Sequence, residues 1–213
     1  GFAFVIHNSD EGELSLGTKG GGLGYSGMTN GIAIEFDTWY NAEDGDPYQN
    51  HISVQTNGKD PLHHAHKYSM ASSGDIPDFS DGREHVVKIK YSPNVDIASY
   101  FTRSRIRNSV DRYQTPIIAF KHAAKFMKAG TRGGDSTRYR MGQLSIYLDE
   151  NPQPIFEVPL NLAAVLDLDT SEVYGSESQT TRAWVGFTAS TGKAWQRQEI
   201  LDWHFTTTEP THP

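Results

Sequence analysis

Along residues 32–37 apolar and polar positions alternate: Ile32, Ile34 and Phe36 fall on one side of the chain, and Ala33, Glu35 and Asp37 on the other. A repeat of two is that of a β-strand, whose successive side chains point to opposite faces. The same pattern predicts strands from Gly1 to Asn8, from His51 to Gln55, from His85 to Tyr91 (with Lys88 and Lys90 outward) and from Leu144 to Asp149. The 85–91 and 144–149 strands are expected to pair as a hairpin. Asn57-Gly58 and the stretch Asp75 to Gly82 read as turns, and Leu162 to Leu166 as a single turn of helix. Strands separated by turns over 213 residues describe one all-β domain, because sandwiches of this length commonly form a single core.

One stretch breaks the pattern. Residues 96–142 hold ten Lys/Arg against three Asp/Glu, whereas the remainder holds nine against twenty-three, so the net charge of −7 conceals a basic insertion in an acidic domain. Within it, Thr115-Pro116 offers an N-cap and a first-turn proline, and Ile117, Phe120, Ala124 and Met127 share one helical face opposite Lys121, Lys125 and Lys128. Gly130 is placed to end that helix. A basic amphipathic helix of this kind either docks on its own domain or offers a protein partner a surface. Its basic residues are not interleaved with a stacking platform, and the acidic remainder repels phosphate, so nucleic acid is not an expected ligand. No stretch approaches the ~18 apolar residues of a membrane-spanning helix. Cysteine is absent, so thiols say nothing of the compartment.

Candidate chemistry concentrates between Ile32 and Gln55. Glu35 and Asp37 share a strand face, and two like charges there require a proton, a cation or a basic partner. Asn41 and Asp46 follow in a polar loop with Gly45 and Pro47, and His51 opens the next strand. Asp37, Asn41, Asp46 and a loop carbonyl form an oxygen-only set suited to Ca²⁺; Glu35, Asp37, Asp46 and His51 add an imidazole and suit Mn²⁺ or another transition ion. Asp37 and Asp46 belong to both sets. His63, His64 and His66 are a second cluster, read either as another metal site or as an exposed polar loop.

The spacing Glu35-x-Asp37-x-Trp39-x-Asn41, then Asp46 and His51, resembles the metal-binding segment of the legume-type (L-type) lectins. Two other segments carry the same likeness: Gly17 to Tyr25 with its Gly-Gly-Gly-Leu-Gly run, and Ala183-Trp-Val-Gly-Phe-Thr-Ala-Ser-Thr-Gly192. The resemblance implies a concanavalin A-like jelly-roll β-sandwich, with 96–142 as an insertion foreign to the pattern. It implies two more strands, one opening the segment from Ala183 to Gly192 and one from Ile200 to Phe205, and Trp184 and Trp203, with apolar neighbours on those strands, are expected in the core. It implies that Ca²⁺ and Mn²⁺ do no chemistry but fix a loop that binds sugar, the Trp39 carbonyl joining the Ca²⁺ set. Implied carbohydrate contacts are Gly21 or Gly22, Trp39, Asn41, and, in the rim loop from Thr191 to Gln198, Thr191, Gly192, Lys193 and Trp195, whose ring either stacks on a sugar or packs on its own loop. It further implies that the chain is the C-terminal two-thirds of its domain, that an upstream segment or another chain completes the sandwich, and that the protein is extracellular and oligomeric or part of a larger assembly.

Glycoside hydrolases share this architecture and carry Glu-x-Asp-x-(x)-Glu on one strand, with the two working carboxyl groups about 5 to 5.5 Å apart. Here Trp39 or Tyr40 stands where the second Glu is needed, so the expectation is a lectin and not an enzyme. The remaining alternative is a structural or adhesive module that retains the metal loop without binding sugar.

Overall fold

The computed structural model describes residues 1–95, 117–118, 141–168 and 182–207. Nine strands are seen among them: β1 (Phe2–His7), β2 (Gly31–Asp37), β3 (His51–Gly58), β4 (Ser69–Ser73), β5 (Val87–Val95), β6 (Ile117–Ile118), β7 (Met141–Leu148), β8 (Phe156–Leu160) and β9 (Trp184–Ala189). They form two antiparallel sheets, a larger one in the order β6-β4-β3-β2-β1-β9 and a smaller one in the order β5-β7-β8. One core joins them: Ile32, Ile34, Phe36, Ile52 and Val54 of the larger sheet pack with Leu144, Ile146, Phe156, Val158 and Leu160 of the smaller. The chain is therefore an all-β sandwich, and among the described residues no helix is long and apolar enough to cross a membrane.

Register follows from the alternation. Ile34 pairs with Val54 and with Phe4, while Glu35 pairs with Ser53 and Ala3. Partners across a ladder share a face, so the inward apolar set fixes the pairing and leaves Glu35 and Asp37 on the opposite face. That outer face is covered in turn by the glycine-rich loop, where Leu23, Tyr25 and Met28 pack with Leu62 on Ala3, Val5 and Ala33. The expected 85–91/144–149 hairpin forms, with Val87 opposite Leu148 and Ile89 opposite Ile146. A single helical turn, α1 (Leu162–Val165), is capped by the Asn161 side chain, which accepts from Ala164 N at 3.3 Å.

Three expectations are corrected. Ile117 and Ile118 do not begin a helix; they form β6, paired with Ser72 and Ala71 of β4, consistent with the strand preference of β-branched residues. The rest of the expected helix, including Phe120, Lys121, Ala124, Lys125, Met127 and Lys128, lies outside the described residues. Ile200 to Phe205 joins no ladder among the described residues. Trp184 and Trp203 are not core residues, being 46% and 47% exposed. Trp184 faces outward on β9, an edge strand, and Trp203 rests edge-on against Phe187 of the same strand, ring centroids 5.7 Å apart. Among the described residues the smaller sheet sets three strands against six, and β8 lies across β4, at the side of the larger sheet away from β9.

Candidate functional site

Glu35 and Asp37 reach the outer face of β2 because Ile34 and Phe36 are drawn into the core. Directly across the ladder β3 presents His51 opposite Asp37 and Ser53 opposite Glu35. Between the strands the loop folds back on itself: Asp46 Oδ2 accepts from Asn41 N at 2.7 Å, Asp44 N and Asp46 N donate to Asn41 O, and Gly45 takes φ +78°. The glycine makes that left-handed turn without the penalty a Cβ would bring. Asp37 Oδ1 accepts from Trp39 N at 2.9 Å, which turns the chain out of the strand. The five side chains singled out as metal ligands, Glu35, Asp37, Asn41, Asp46 and His51, thus occupy one end of β2 and β3 and the loop that joins them.

Their electrostatics are those of crowded carboxylates. Glu35, 2% exposed, accepts from Tyr25 Oη at 3.0 Å, Ser53 Oγ at 2.6 Å and Gln55 Nε2 at 3.2 Å. Burial still pushes its pKa up to about 7, against the pull of those donors and with the push of the Asp37 charge. Asp46 is raised to about 6, by desolvation first and then by the charges of Asp37, Asp44 and Glu43, while its bond from Asn41 opposes the rise. Among the described residues no Lys or Arg pairs with Glu35, Asp37 or Asp46. His51 is depressed, chiefly by burial, and its Nδ1 lies 2.9 Å from Tyr48 O. A carbonyl only accepts, so Nδ1 carries the proton and Nε2 keeps the lone pair a metal needs, the usual orienting arrangement for a ligating histidine.

In donor identity these residues match the two expected ion sets. Among the described residues, however, no three His, Asp or Glu side chains are drawn together closely enough to make a ready coordination shell. Glu35 Oε2 is already engaged twice, and Oε1 once.

Beside the loop opens a cavity of about 680 Å³ lined by three segments together with Gly1 and Ser80. The glycine loop contributes Gly20, Gly21 and Leu23; the end of β2 and the loop after it contribute Asp37 to Asn41 and Glu43; the 190s contribute Ser190 and Gly192 to Gln196. Of the residues expected to touch sugar, Gly21, Trp39, Asn41, Gly192, Lys193 and Trp195 all line it. Gly22 and Thr191 are not among its lining. Gly22 is turned inward, where a Cβ would meet Thr18 Oγ1 at 2.1 Å, whereas Gly21 faces Asn41 and Asp44. Trp195 is 82% exposed, so its ring does not pack against its own loop. Trp39 and Tyr40 are also exposed.

Tyr40, Glu43, Ser80 and Ser190 join the cavity without having been singled out from sequence, and Gln196 joins it from within the expected 191–198 rim without having been named as a contact. Tyr40 had a local signal, an aromatic beside Trp39; Ser80 and Ser190 had none. The histidine cluster is neither an exposed loop nor, among the described residues, part of a metal group. His64 Nε2 lies 3.2 Å from Asp44 Oδ1 and its Nδ1 3.1 Å from Ser26 Oγ, tying the loop between β2 and β3 to the glycine loop, while His63 stacks between His64 and Tyr68.

The glycine loop closes on itself through Gly17 N to Gly24 O and Thr18 N to Ser26 O, both 2.7 Å. A Cβ on Gly17 would stand 2.4 Å from the Tyr25 carbonyl carbon, and backbone there has little room to yield. Gly17→Ala should therefore lower unfolding free energy by about 1–3 kcal/mol. A denaturation midpoint equal to that of wild type would show that the loop shifts freely.

No protein-family model matches the chain.

Proposed function

We propose that this sandwich is a lectin of concanavalin A-like, L-type character that binds carbohydrate in a shallow site supported by Ca²⁺ and Mn²⁺, and that it is not an enzyme. The observation carrying this reading is convergence: the Asn41 amide, the Gly21 backbone and the exposed rings of Trp39 and Trp195 surround one cavity whose floor includes Asp37. Flat aromatic faces and fixed amides are what pyranose rings require, the first for their apolar faces and the second for their hydroxyls.

Asp37, Asp46, Asn41 and the Trp39 carbonyl would hold Ca²⁺, and Glu35, Asp37, Asp46 and His51 the second ion. Bound there, the ions supply positive charge that offsets the clustered carboxylates. The chain's own work is to hold the loop: Asp46 fixes Asn41 N and Asp37 fixes Trp39 N, so the amide and ring that meet a sugar are oriented from the carboxylate side. A third carboxylate for glycoside hydrolysis would have to stand at Trp39 or Tyr40, and carboxylates committed to metals make poor acids or nucleophiles.

Shallow polar sites gain little once ordering costs are met, so single-site affinity is weak and useful avidity comes from several copies acting together, as expected of an extracellular recognition protein. The second reading, a structural or adhesive module binding protein, draws on the exposed Trp184, Phe187, Trp203 and Phe205 beside β9, a surface unrelated to the cavity.

The deciding experiment is binding of the full chain to a glycan panel with Ca²⁺ and Mn²⁺, repeated after chelation. Binding that disappears on chelation is expected and would name the sugar. No binding in either state, with metal still measurable in the protein, would favour the protein-binding module.

A further inference from the structure

We infer that Gln196 is a positioning residue that locks the 191–195 wall of the cavity onto the end of the metal loop and so sets ligand affinity; the affinity part of this inference rests on the carbohydrate reading above. After β9 ends, residues 191–195 run along the cavity outside any ladder, all exposed, with one backbone hydrogen bond of their own, Gly192 N to Ala194 O at 3.2 Å. Among the described residues no further hydrogen bond within 191–195 fixes where Lys193 and the Trp195 ring stand. The segment is tied instead at its two ends. At one end Ser190 Oγ donates to Gly20 O of the glycine loop.

At the other end Gln196 makes two bonds in opposite directions. Its Oε1 accepts from Thr38 Oγ1 at 2.7 Å, and its Nε2 donates to Phe79 O at 2.7 Å. Phe79 O can only accept, so the amide has one allowed orientation, and in it Thr38 must be the donor. Both anchors are held independently of Gln196. Thr38 follows Asp37 directly at the end of β2. Phe79 packs edge-on against Phe36 at 5.7 Å, and its N donates to Asn50 Oδ1 at 3.2 Å. Asn50 in turn donates to Pro77 O at 2.8 Å, which fixes the turn. One side chain therefore joins β2, the 77–80 turn and the rim, one residue from the ring best placed to stack on a sugar.

Gln196→Leu keeps the size of the side chain and removes both bonds; Thr38→Val removes one, and Thr38→Ser keeps it. Backbone ¹⁵N order parameters for residues 191–195, measured on the metal-free, sugar-free full chain, should fall from a rigid value near ~0.85 to below ~0.6 in Gln196→Leu. Affinity for whichever glycan the panel selects should fall about tenfold, as expected for two partly buried hydrogen bonds, while Ca²⁺ affinity stays within about twofold. Thr38→Ser should match wild type in both readouts, and Thr38→Val combined with Gln196→Leu should be no worse than Gln196→Leu alone, because both act on one link. Unchanged order parameters, or unchanged glycan affinity in a variant whose loop has loosened, would overturn the inference. If wild type binds no glycan, the carbohydrate reading falls, and the order parameters alone still decide whether Gln196 holds the wall.

Discussion

Asp37→Ala and Asp46→Ala are each expected to abolish metal binding and carbohydrate binding together, with both affinities falling by more than about 100-fold, since loss of a direct ligand exceeds the 10–100-fold typical of outer-shell changes. The reason is that these two carboxylates belong to both proposed ion sets and also hold the loop backbone, Asp37 through Trp39 N and Asp46 through Asn41 N. Asp46→Asn separates the two roles. An amide oxygen can still accept from Asn41 N, so the loop keeps its shape, but the charge that attracts the cation is gone. Calorimetric titration with Ca²⁺ and then with glycan should show Asp46→Asn losing the metal response and, with it, the sugar. Sugar binding retained in Asp37→Ala or Asp46→Ala would sink the mechanism, because it would mean the Asn41 amide and Trp39 ring are positioned without the ions.

The parts of this arrangement that could be read from sequence are those in which one local rule acts alone. Alternation placed Glu35 and Asp37 on one face of β2, and the ladder sets His51, expected at the start of the next strand, opposite Asp37. The hairpin of β5 and β7 was legible for the same reason, although the basic stretch separates its halves. What could not be read depends on neighbours distant in sequence. β4 is Ser-Met-Ala-Ser-Ser, with no apolar alternation to announce it, and it is a strand because β3 offers a ladder. Ile117 fits a helical face in the chain taken alone, but the edge of β4 pairs with it and with Ile118. Ile200 to Phe205 is apolar enough to suggest a strand, yet a strand needs a partner and none is found among the described residues. At the cavity the same division holds. Trp39, Asn41 and Lys193 were accessible through motif and loop, whereas Thr38 and Gln196, 158 residues apart, are joined only by the fold.

In metal-free protein, stability should fall as pH rises from about 4.5 to 7, and added Ca²⁺ and Mn²⁺ should reverse that fall. The sign follows from Glu35. An acid whose pKa is higher in the folded chain than in the unfolded one binds its proton more tightly when folded, so each step up in pH between the two values favours unfolding. Glu35 moves from 4.5 to about 7 on folding, which corresponds to roughly 3 kcal/mol of stability present at acid pH and lost by neutrality. Asp46, raised to about 6, acts in the same direction but is half-buried and contributes less. His85 must be separated from them. Burial lowers its pKa, yet the bonds and charges of Asp149 and Asp81 outweigh that and leave it raised, so its stabilising charge is present below about 6.5 and lost as pH rises through the folded value. Glu35→Gln distinguishes the sources: it should remove the Glu35 part of the pH dependence in metal-free protein, leaving the smaller Asp46 and His85 parts and the opposing part of His7, His51, His63 and His66, whose pKa values burial lowers. Metal acts oppositely to the proton, because it requires the deprotonated carboxylates. The gain in melting temperature on adding the ions should therefore be small at pH 5 and large at pH 7.5, and absent at both in Glu35→Gln if that carboxylate is needed for the second ion and Mn²⁺ alone is supplied. A metal-induced gain equal at both pH values would mean that the ions bind elsewhere than on Glu35 and its neighbours, and the buried carboxylate would then be a structural hub for Tyr25, Ser53 and Gln55 alone.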